Sequence, residues 1–345
     1  MNLIKKVNDY KYVQAGVDIG NFSIKVAALK KKPLSKEETL TYSIEHIPRD
    51  ATLRQKVDLI HKCLKDAGIT TSKVNTSVSG PNVICHYSLM PFMHRDDLVR
   101  SLELEWDKYM SLKIDEVIWD CVLLDTLKDS TGRKKIQVLI VAAKKNLIKE
   151  HLQLLEAAGL EVQNINVDAF ALINAFRSSR SFESKQTAVL LNIGEYFTNI
   201  VVLRRGICWF SRDIILGGRD LTQIIAEKLH LARQEAEQLK RDLDGSNPKN
   251  LQLVRTILDN LVNELNISFE YLKRELAEPI ECIYISGGSS NLFELDKFLS
   301  ENLNIPIKKW NPASVFKLKP GLSQEAFEKD APDLVVAIGL ALIKK

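Results

Sequence analysis

The segment VDIGNFSIKVAAL at residues 17–29 contains two apolar runs joined by a short polar turn that pivots on Gly20. Two such runs on either side of a glycine-containing turn predict a β-hairpin. The backbone N–H groups of the turn can cradle an anion. The segment therefore predicts a hairpin with an anion-binding turn near the start of an α/β domain.

A second copy of this plan lies at residues 191–203, LNIGEYFTNIVVL, where the turn pivots on Gly194. A hydroxyl residue follows the glycine closely in both copies, Ser23 in the first and Thr198 in the second. One such turn near the start of each half of the chain indicates a duplicated architecture. We therefore expect two related domains that face a shared ligand.

Length and composition agree with two globular domains. The chain has 345 residues, and domains average roughly 150 residues. Its 45% hydrophobic and 27% charged residues are ordinary for a protein with packed cores. The net charge of +4 is spread along the chain, and Lys30, Lys31 and Lys32 fit a solvated turn. Without a dense basic block carrying interleaved aromatic residues, no nucleic-acid partner is predicted.

The cysteines and the apolar segments indicate a compartment. The five cysteines form no C-x-x-C pair, so neither a zinc site nor a redox motif is predicted. They suit a reducing cytosol as small core residues: Cys63, Cys85, Cys121, Cys208 and Cys282. No apolar run approaches the roughly 20 residues that span a bilayer, and residues 1–12 are too polar for a signal peptide. We expect a cytoplasmic protein that reaches a membrane only through protein partners, without direct insertion.

Alternating helix and strand signals fill the chain. Helices are predicted at 53–67 and 146–158, each followed by a glycine C-cap, and at 252–276. Short apolar runs predict buried strands at 74–78, 136–143 and 282–285, and 241–250 is predicted to be an exposed connection. The stretch from about 82 to 164 interrupts the first half with strands and a helix of its own, which indicates an inserted subdomain.

A third glycine-rich turn occurs at residues 283–290, IYISGGSS, where an apolar strand breaks before a helix predicted to start near Leu292. Gly287 and Gly288 permit close approach of a backbone to a ligand, and a helix N-terminus offers free N–H groups. The alternative is an ordinary strand-to-helix turn. Either interpretation fits this turn when it is considered alone.

The three turns in this order resemble the actin, Hsp70 and sugar-kinase superfamily. Nearly the whole chain is similar to the PilM family of type IV pilus assembly proteins, itself similar to the cell-division protein FtsA. The similarity is carried by residues 17–25, 75–93, 106–109, 114–117, 141–145, 168–172, 212–214, 217–218, 236–240 and 337–341. It implies an α/β fold with duplicated actin-like, ribonuclease H-like domains at 1–175 and 176–345. An α+β subdomain is inserted in the first half at about 84–160.

The resemblance implies an ATP site whose first phosphate turn is formed by Gly20, Asn21, Phe22 and Ser23. Lys25 is the candidate cation for the β-phosphate, and the alternative is an exposed strand lysine. Asp18 is the candidate metal residue, acting on Mg²⁺ through water, because Mg²⁺ usually keeps several of its waters. The alternative for Asp18 is a carboxylate that caps the turn.

The resemblance also assigns ligand contacts in the second half of the chain. Gly194 to Thr198 form the second phosphate turn, which Asn192 precedes. Glu237 and Lys240 are the candidates for ribose or adenine contacts, and the alternative is a plain i,i+3 ion pair on a helix face. The remaining candidates are glycine-rich positions, of which the last three meet adenosine: Gly217, Gly218, Gly287, Gly288 and Ser289.

Several residues depart from the superfamily pattern. Asn192 is neutral where the superfamily commonly has an aspartate that orders magnesium-bound water, and Glu195 brings a negative charge to a phosphate turn. Phe22 and Tyr196 are bulky where small residues are usual. No catalytic residue can be nominated, and we expect slow or absent ATP hydrolysis.

Three functions fit this sequence. The departures and the insertion favour an ATP-binding scaffold that docks the N-terminal cytoplasmic tail of a PilN-like inner-membrane protein, with other pilus assembly proteins as further candidate partners. An active ATPase that switches conformation or forms filaments is the second, and a sugar-kinase-like phosphotransferase is the third. Candidate tail-binding residues, whose alternative is core packing of the insertion, are Ile84, Tyr87, Leu89, Met90 and Met93.

Overall fold

The computed structural model of the chain describes residues 11–31, 38–128, 132–183, 185–244, 246–275 and 278–343. Its strands, in chain order, are β1 Lys11–Ile19, β2 Ser23–Lys31, β3 Glu38–His46, β4 Lys73–Val78, β5 Val83–Pro91, β6 Val117–Lys128, β7 Lys134–Lys144, β8 Glu161–Val167, β9 Thr187–Ile193, β10 Thr198–Arg204, β11 Ile207–Ile214, β12 Cys282–Ser286, β13 Ile307–Lys309 and β14 Lys317–Leu318.

The helices are α1 Leu53–Ala67, α2 Arg95–Leu104, α3 Trp106–Tyr109, α4 Lys145–Ala157, α5 Asp168–Ser178, α6 Gly218–Leu229, α7 Arg233–Arg241, α8 Pro248–Glu275, α9 Leu295–Leu303, α10 Gln324–Asp330 and α11 Val335–Ala341. Short 3-10 turns lie at Ile114–Glu116 and Gly288–Asn291.

The described residues form two compact units. The first is drawn from Met1–Ser77, Leu152–Phe182 and Trp310–Lys345, and the second from Val78–His151 and Glu183–Lys309. This division differs from the predicted bounds of 1–175 and 176–345. The chain returns to the first unit at its C-terminal end, and most of the inserted segment packs with the second unit.

The two units contain sheets with the same order of five strands, and the first sheet has the additional edge strand β14. In the first, the strand order is β14-β3-β2-β1-β4-β8, and in the second it is β11-β10-β9-β12-β13. Each sheet starts with an antiparallel hairpin, β1–β2 or β9–β10, and its first strand pairs in parallel with a later one, β4 or β12. This shared order confirms the duplicated α/β fold predicted from the repeated hairpin.

Helices cover the first sheet on both faces. Side chains of β2 alternate between the two: Val26 packs in the cluster with Ile60 of α1, and Leu29 packs in the cluster with Ile338 of α11. In the second unit β9 is buried at nearly every position, as expected for a strand with both faces covered.

Most of the predicted elements are confirmed. Helix α1 has the predicted bounds because Thr52 and Gln55 form a capping box at its start and Gly68 ends it in the left-handed conformation at φ 64°. Bounds of the other predicted elements differ from the prediction by about one to four residues. Helix α4 ends at Ala157, helix α8 already begins at Pro248 within the predicted connection, and α9 begins at Leu295, because a 3-10 turn precedes it.

The inserted segment has its own small core. Strands β5, β7 and β6 form an antiparallel sheet in that order. Helices α2 and α3 cover one face, where Leu98, Leu102 and Trp106 pack against Ile136 and Val138 of β7. These residues are almost fully buried. The insertion is therefore an α+β subdomain, as predicted.

The cysteines are free thiols, and all except the partly exposed Cys85 are buried, in agreement with the predicted core positions. Over the described ranges, the helices include none with the length and apolar character needed to cross a membrane. Among the same residues, His, Cys, Asp and Glu side chains form no group of three that could hold a metal ion.

Candidate functional site

Each hairpin closes through one backbone hydrogen bond at its glycine. The Gly20 N–H donates to the Ser23 carbonyl oxygen at 3.0 Å, and the Gly194 N–H donates to the Phe197 carbonyl oxygen at 2.9 Å. The two turns therefore have the same backbone closure. It aligns Ser23 with Phe197, so the hydroxyl residues Ser23 and Thr198 of the sequence repeat are not equivalent in the structure.

Two predicted ligand residues are engaged in packing. Thr198 is fully buried, and its hydroxyl donates to the Leu216 carbonyl oxygen at 2.7 Å. The Phe22 ring meets His46 edge-on, with ring centroids 4.8 Å apart, so Phe22 packs against the end of β3. Asn21, beside it, is exposed. Thr198 stays a predicted ligand residue of the second turn, although the proton of its hydroxyl is already donated within the protein.

Lys25 is not the exposed strand lysine that the sequence left open. Its ammonium lies 3.0 Å from the Asp18 carboxylate, across β1 and β2, and its side chain is 12% exposed. Burial alone would lower the pKa of Lys25, but Asp18, with smaller contributions from Asp333 and Asp168, outweighs burial and leaves the pKa raised. Lys25, the predicted cation for the β-phosphate, is therefore charged. It forms an ion pair with Asp18, the residue predicted to act on Mg²⁺.

The second hairpin carries an uncharged version of this pair. In register, Asn192 faces Asn199 as Asp18 faces Lys25. The Asn192 Nδ2 donates to the Asn199 Oδ1 at 2.8 Å. The neutral Asn192 is therefore half of a matched amide pair, and the second turn replaces both charges of the first.

Sequence-distant glycines lie together beside the second turn. The Gly218 N–H donates to the Gly194 carbonyl oxygen at 2.8 Å. A Cβ on Gly217 would lie 2.5 Å from the Glu195 carbonyl oxygen, and one on Gly218 would collide with the Ser289 hydroxyl. Predicted ligand residues from three separate stretches therefore form one cluster in the second unit, packed too closely for side chains at either glycine.

The third turn completes this cluster. Gly287 has a φ of 87°, and a Cβ there would lie 2.5 Å from the Ile193 carbonyl oxygen, so only glycine fits. Gly288 begins the 3-10 turn and is exposed. The Ser289 hydroxyl lies 3.5 Å from the Gly194 carbonyl oxygen. The backbone at Gly288 is therefore accessible, and Gly287 holds it against the second turn.

Glu237 and Lys240 form the i,i+3 ion pair that the sequence left as an alternative, with 2.7 Å between ammonium and carboxylate. The buried Lys240 also donates to the Thr222 hydroxyl at 2.9 Å and to the Gly218 carbonyl oxygen at 3.0 Å. All three of its protons have acceptors. Burial would raise the pKa of Glu237, but Lys240 and further hydrogen bonds leave it lowered. Lys240 therefore ties α7 to the start of α6.

We expect Lys240→Met to lower the free energy of unfolding by about 2 kcal/mol, because the hydrogen bonds of Lys240 to α6 are lost while Glu237 keeps its ion pair with Arg241 at 2.9 Å. Chemical denaturation measures this change. The control is Lys228→Met, at an exposed position of α6, which should stay within about 0.5 kcal/mol of the parent. Equal effects of the two variants would contradict the tying role of Lys240.

Glu195 points into this cluster with 14% of its side chain exposed, and its carboxylate lies 3.2 Å from the Arg233 guanidinium. Burial raises the pKa of Glu195, Lys240 opposes this, and Glu237 adds to it. The negative charge that Glu195 brings to the second turn is therefore balanced by Arg233.

Two arginines of the site were not among the residues predicted from the sequence. The Arg219 guanidinium lies 4.6 Å from the centroid of the Tyr196 ring, and Arg233 pairs with Glu195. Arg233 had a detectable signal, since a cation in the first position of helix α7 is disfavoured by the helix dipole and requires a local partner. Arg219, next to Gly218, had no such signal in the sequence.

The predicted tail-binding residues divide between the two faces of the inserted sheet. Met90 is 4% exposed, and Ile84 and Met93 pack with it in the core of the insertion. The Tyr87 hydroxyl contacts strand β11, where it lies 2.8 Å from the Ser211 hydroxyl. Leu89 is 52% exposed. Ile84, Met90 and Met93 therefore pack as the alternative of core packing describes, and Tyr87 and Leu89 stay candidates for tail binding.

Comparisons with known proteins agree with this architecture. The sequence profile of the family described as type IV pilus assembly protein PilM matches residues 16–345. A solved PilM–PilN type IV pilus biogenesis complex has a chain that is 25% identical, with a TM-score of 0.84, over 96% of this chain and 98% of that one. MreB5 of Spiroplasma citri, solved with bound ADP, is 10% identical, with a TM-score of 0.53 over 94% of each chain, and shows the actin-like fold alone.

Among curated proteins, cell division protein FtsA of Staphylococcus epidermidis is 21% identical over 218 residues. The match covers 55% of this chain and 45% of FtsA, so the chain spans less than half of that relative's length. The family profile covers nearly the whole chain. The chain therefore belongs to the family of type IV pilus assembly protein PilM.

Proposed function

We propose that this chain is an ATP-binding scaffold of a type IV pilus or a related secretion machine. It docks the N-terminal cytoplasmic tail of a PilN-like inner-membrane protein and hydrolyses ATP slowly or not at all. The observation that carries the proposal is the cluster in the second unit, where the turns at Gly194, Gly217 and Gly287 meet in a chain of the PilM family.

Geometry supports recognition of a nucleoside by this cluster. The exposed Gly288 backbone follows a glycine that cannot be replaced, and Glu195 and Glu237 provide carboxylate acceptors nearby. Carboxylates and backbone groups are suited to ribose hydroxyls and to a base, and pockets of this kind use a few fixed polar groups for orientation. Phosphate contacts by Gly20 to Lys25 of the first unit remain predictions from the resemblance.

Slow hydrolysis is supported by the neutral Asn192 and by the ion pairs that the predicted carboxylates already form. Asp18 is paired with Lys25, Glu195 with Arg233 and Glu237 with Lys240, and Asn192 is neutral. Phosphoryl transfer needs a group that orients water and a metal that neutralises developing charge. Mg²⁺ would arrive with the nucleotide, and Asp18 is the residue proposed to face it through water.

Exposed apolar side chains of the insertion support tail docking. Strand β6 is 12 residues long and, within the described chain, forms strand pairing only with β7, so it is the edge strand of this sheet. Ile118 and Val122 lie on the face opposite α2 and α3 and are 53% and 45% exposed. An extended peptide can add to such an edge through main-chain hydrogen bonds, while apolar contacts select its side chains. We call Ile118, Val122 and Leu89 the β6 surface.

The test of this function combines two titrations and one assay on the purified full chain. Calorimetry with ATP and Mg²⁺, and with a synthetic PilN-like tail from the same genome, should each give saturable binding. Phosphate release should stay near background. Absence of ATP binding, or rapid turnover, would contradict the scaffold function, and absence of tail binding would contradict the docking role.

A further inference from the structure

A chain of polar side chains runs through the second unit from the start of the insertion to the third turn. The Gly80 N–H donates to the Asp213 Oδ2 at 2.7 Å, and the Asn199 Nδ2 donates to the Asp213 Oδ1 at 2.7 Å. The Asn192 Nδ2 then donates to the Asn199 Oδ1 at 2.8 Å. The Ser286 hydroxyl donates to the Asn192 Oδ1 at 3.3 Å. We call these five residues the Asp213 network.

The charge at one end sets the direction of every donor in the Asp213 network. An ionised carboxylate only accepts hydrogen bonds, so Asn199 must turn its nitrogen to Asp213 and its oxygen to Asn192. Asn192 must then turn its nitrogen to Asn199 and its oxygen to Ser286. Asn199 and Ser286 are 3% and 1% exposed, so water cannot easily replace a lost partner.

We propose that Asp213 is a positioning residue that acts through Asn199 to fix the side chain of Asn192 at the second turn. The Asp213 network accommodates one carboxylate, at position 213 or at position 192, and not two. This inference rests on the proposed function, because the Asp213 network controls the charge of the second turn, which is part of the proposed ATP site. The neutral second turn is thus explained by a carboxylate that the network already holds on β11.

The network explains which substitutions are compatible. In Asp213→Asn, every amide can rotate: residue 213 then donates to Asn199, Asn199 to Asn192, and Asn192 to the Ser286 hydroxyl. The Ser286 proton has a second acceptor, the Leu191 carbonyl oxygen at 3.5 Å. Each partner is therefore kept.

In Asn192→Asp, two carboxylates compete for one amide. The Asn199 oxygen must face one of them, and that contact is repulsive. In N192D/D213N the reversed chain ends on the new carboxylate at position 192, and every hydrogen bond is restored. The double variant should therefore be more stable than N192D alone.

A thermal unfolding cycle on the full chain without nucleotide tests the positioning role. We expect N192D to lower the apparent Tm by about 5 °C, D213N to change it by less than about 2 °C, and N192D/D213N to recover most of the loss. The control is N192D/D259N, which has the same net charge but changes an exposed carboxylate of α8 outside the network. It should keep the full loss. Additive shifts in N192D/D213N would overturn the proposal.

A second measurement detects an effect that a purely structural role would not produce. Mg²⁺ favours anionic oxygen ligands. A carboxylate at position 192 should therefore raise the Mg²⁺ dependence of ATP affinity, measured as the Kd ratio with EDTA and with Mg²⁺, by about tenfold over the parent chain. An unchanged ratio in a stable N192D/D213N protein that binds ATP would also overturn the proposal. If no variant binds ATP and the Tm cycle still shows recovery, the proposed function fails while the positioning role of Asp213 stands.

Discussion

Gly288→Asp should weaken ATP binding by at least about 100-fold while the protein remains folded. Gly288 is exposed at the start of a 3-10 turn, so a side chain there has room in the free protein. In the proposed complex the backbone of Gly288 approaches the nucleoside, and a carboxylate would both block this approach and repel the phosphates. Calorimetric titration with ATP measures the loss, and circular dichroism checks the fold.

The matched control for Gly288→Asp is Asn291→Asp, which adds the same charge to an exposed position of the same turn without adding bulk beside Gly287. We expect this control to retain ATP affinity within about threefold of the parent. Parent-like affinity of the Gly288→Asp protein would show that this turn does not contact the nucleoside. An equal loss in both variants would point to a long-range charge effect.

Replacing Ile118 and Val122 together by lysine should weaken binding of the PilN-like tail by roughly 100-fold, because two apolar anchors at about 1.4 kcal/mol each would be lost. Both side chains are about half exposed, and lysine is common on edge strands, so the fold should tolerate the change. Calorimetry with the tail peptide measures the effect, and ATP affinity should remain that of the parent.

The control for the β6 surface is Thr126→Lys. Thr126 is exposed on the same strand, and its register with Ile136 places it on the other face of the sheet. Tail affinity should be unchanged in this variant. Parent-like binding by I118K/V122K would remove the β6 surface as the docking site. Deleting residues 84–160 would be a poorer test, because α4 places Leu154 and Leu155 in the core of the first unit.

The repeated hairpin made the fold predictable from the sequence. Hydrophobic runs, a turn glycine and helix caps are local signals, and they determined α1, β4, β7 and β12 within a few residues. The division into units was harder to predict, since the return of residues 310–345 to the first unit depends on long-range packing. Local patterns do not encode such contacts.

The candidate site was predictable at positions where the backbone geometry requires glycine. It was less predictable at positions where the role depends on which hydrogen bonds and ion pairs a side chain forms. Gly217, Gly218 and Gly287 lie where a Cβ would collide with neighbouring atoms, so glycine is required at each. By contrast, the commitments of Lys240 and Thr198 to the protein depend on neighbours far along the chain. Position 192 illustrates the limit: its neutral side chain suggested a lost function, and only the structure connects it to Asp213.

The sequence could not separate surface from core among the apolar residues of the insertion, for a similar reason. A run that mixes aromatic and methionine side chains is compatible with a binding surface and with a core. The alternation of side chains along the strand decides whether a residue lies on the surface or in the core. It places Ile84 and Met90 on the face that α2 and α3 cover. The sequence contained this alternation, but the face that the helices would cover could not be chosen without the structure.

The most direct test of the scaffold function is a single-turnover experiment with labelled ATP and Mg²⁺ on the purified full chain. After rapid removal of free nucleotide, the bound fraction is separated into ATP and ADP over time. We predict that ATP stays bound and intact, with turnover far below the ordinary enzymatic range of about 1 to 10³ per second. Retention of no nucleotide, or conversion of the bound ATP to ADP at an ordinary enzymatic rate, would contradict the account.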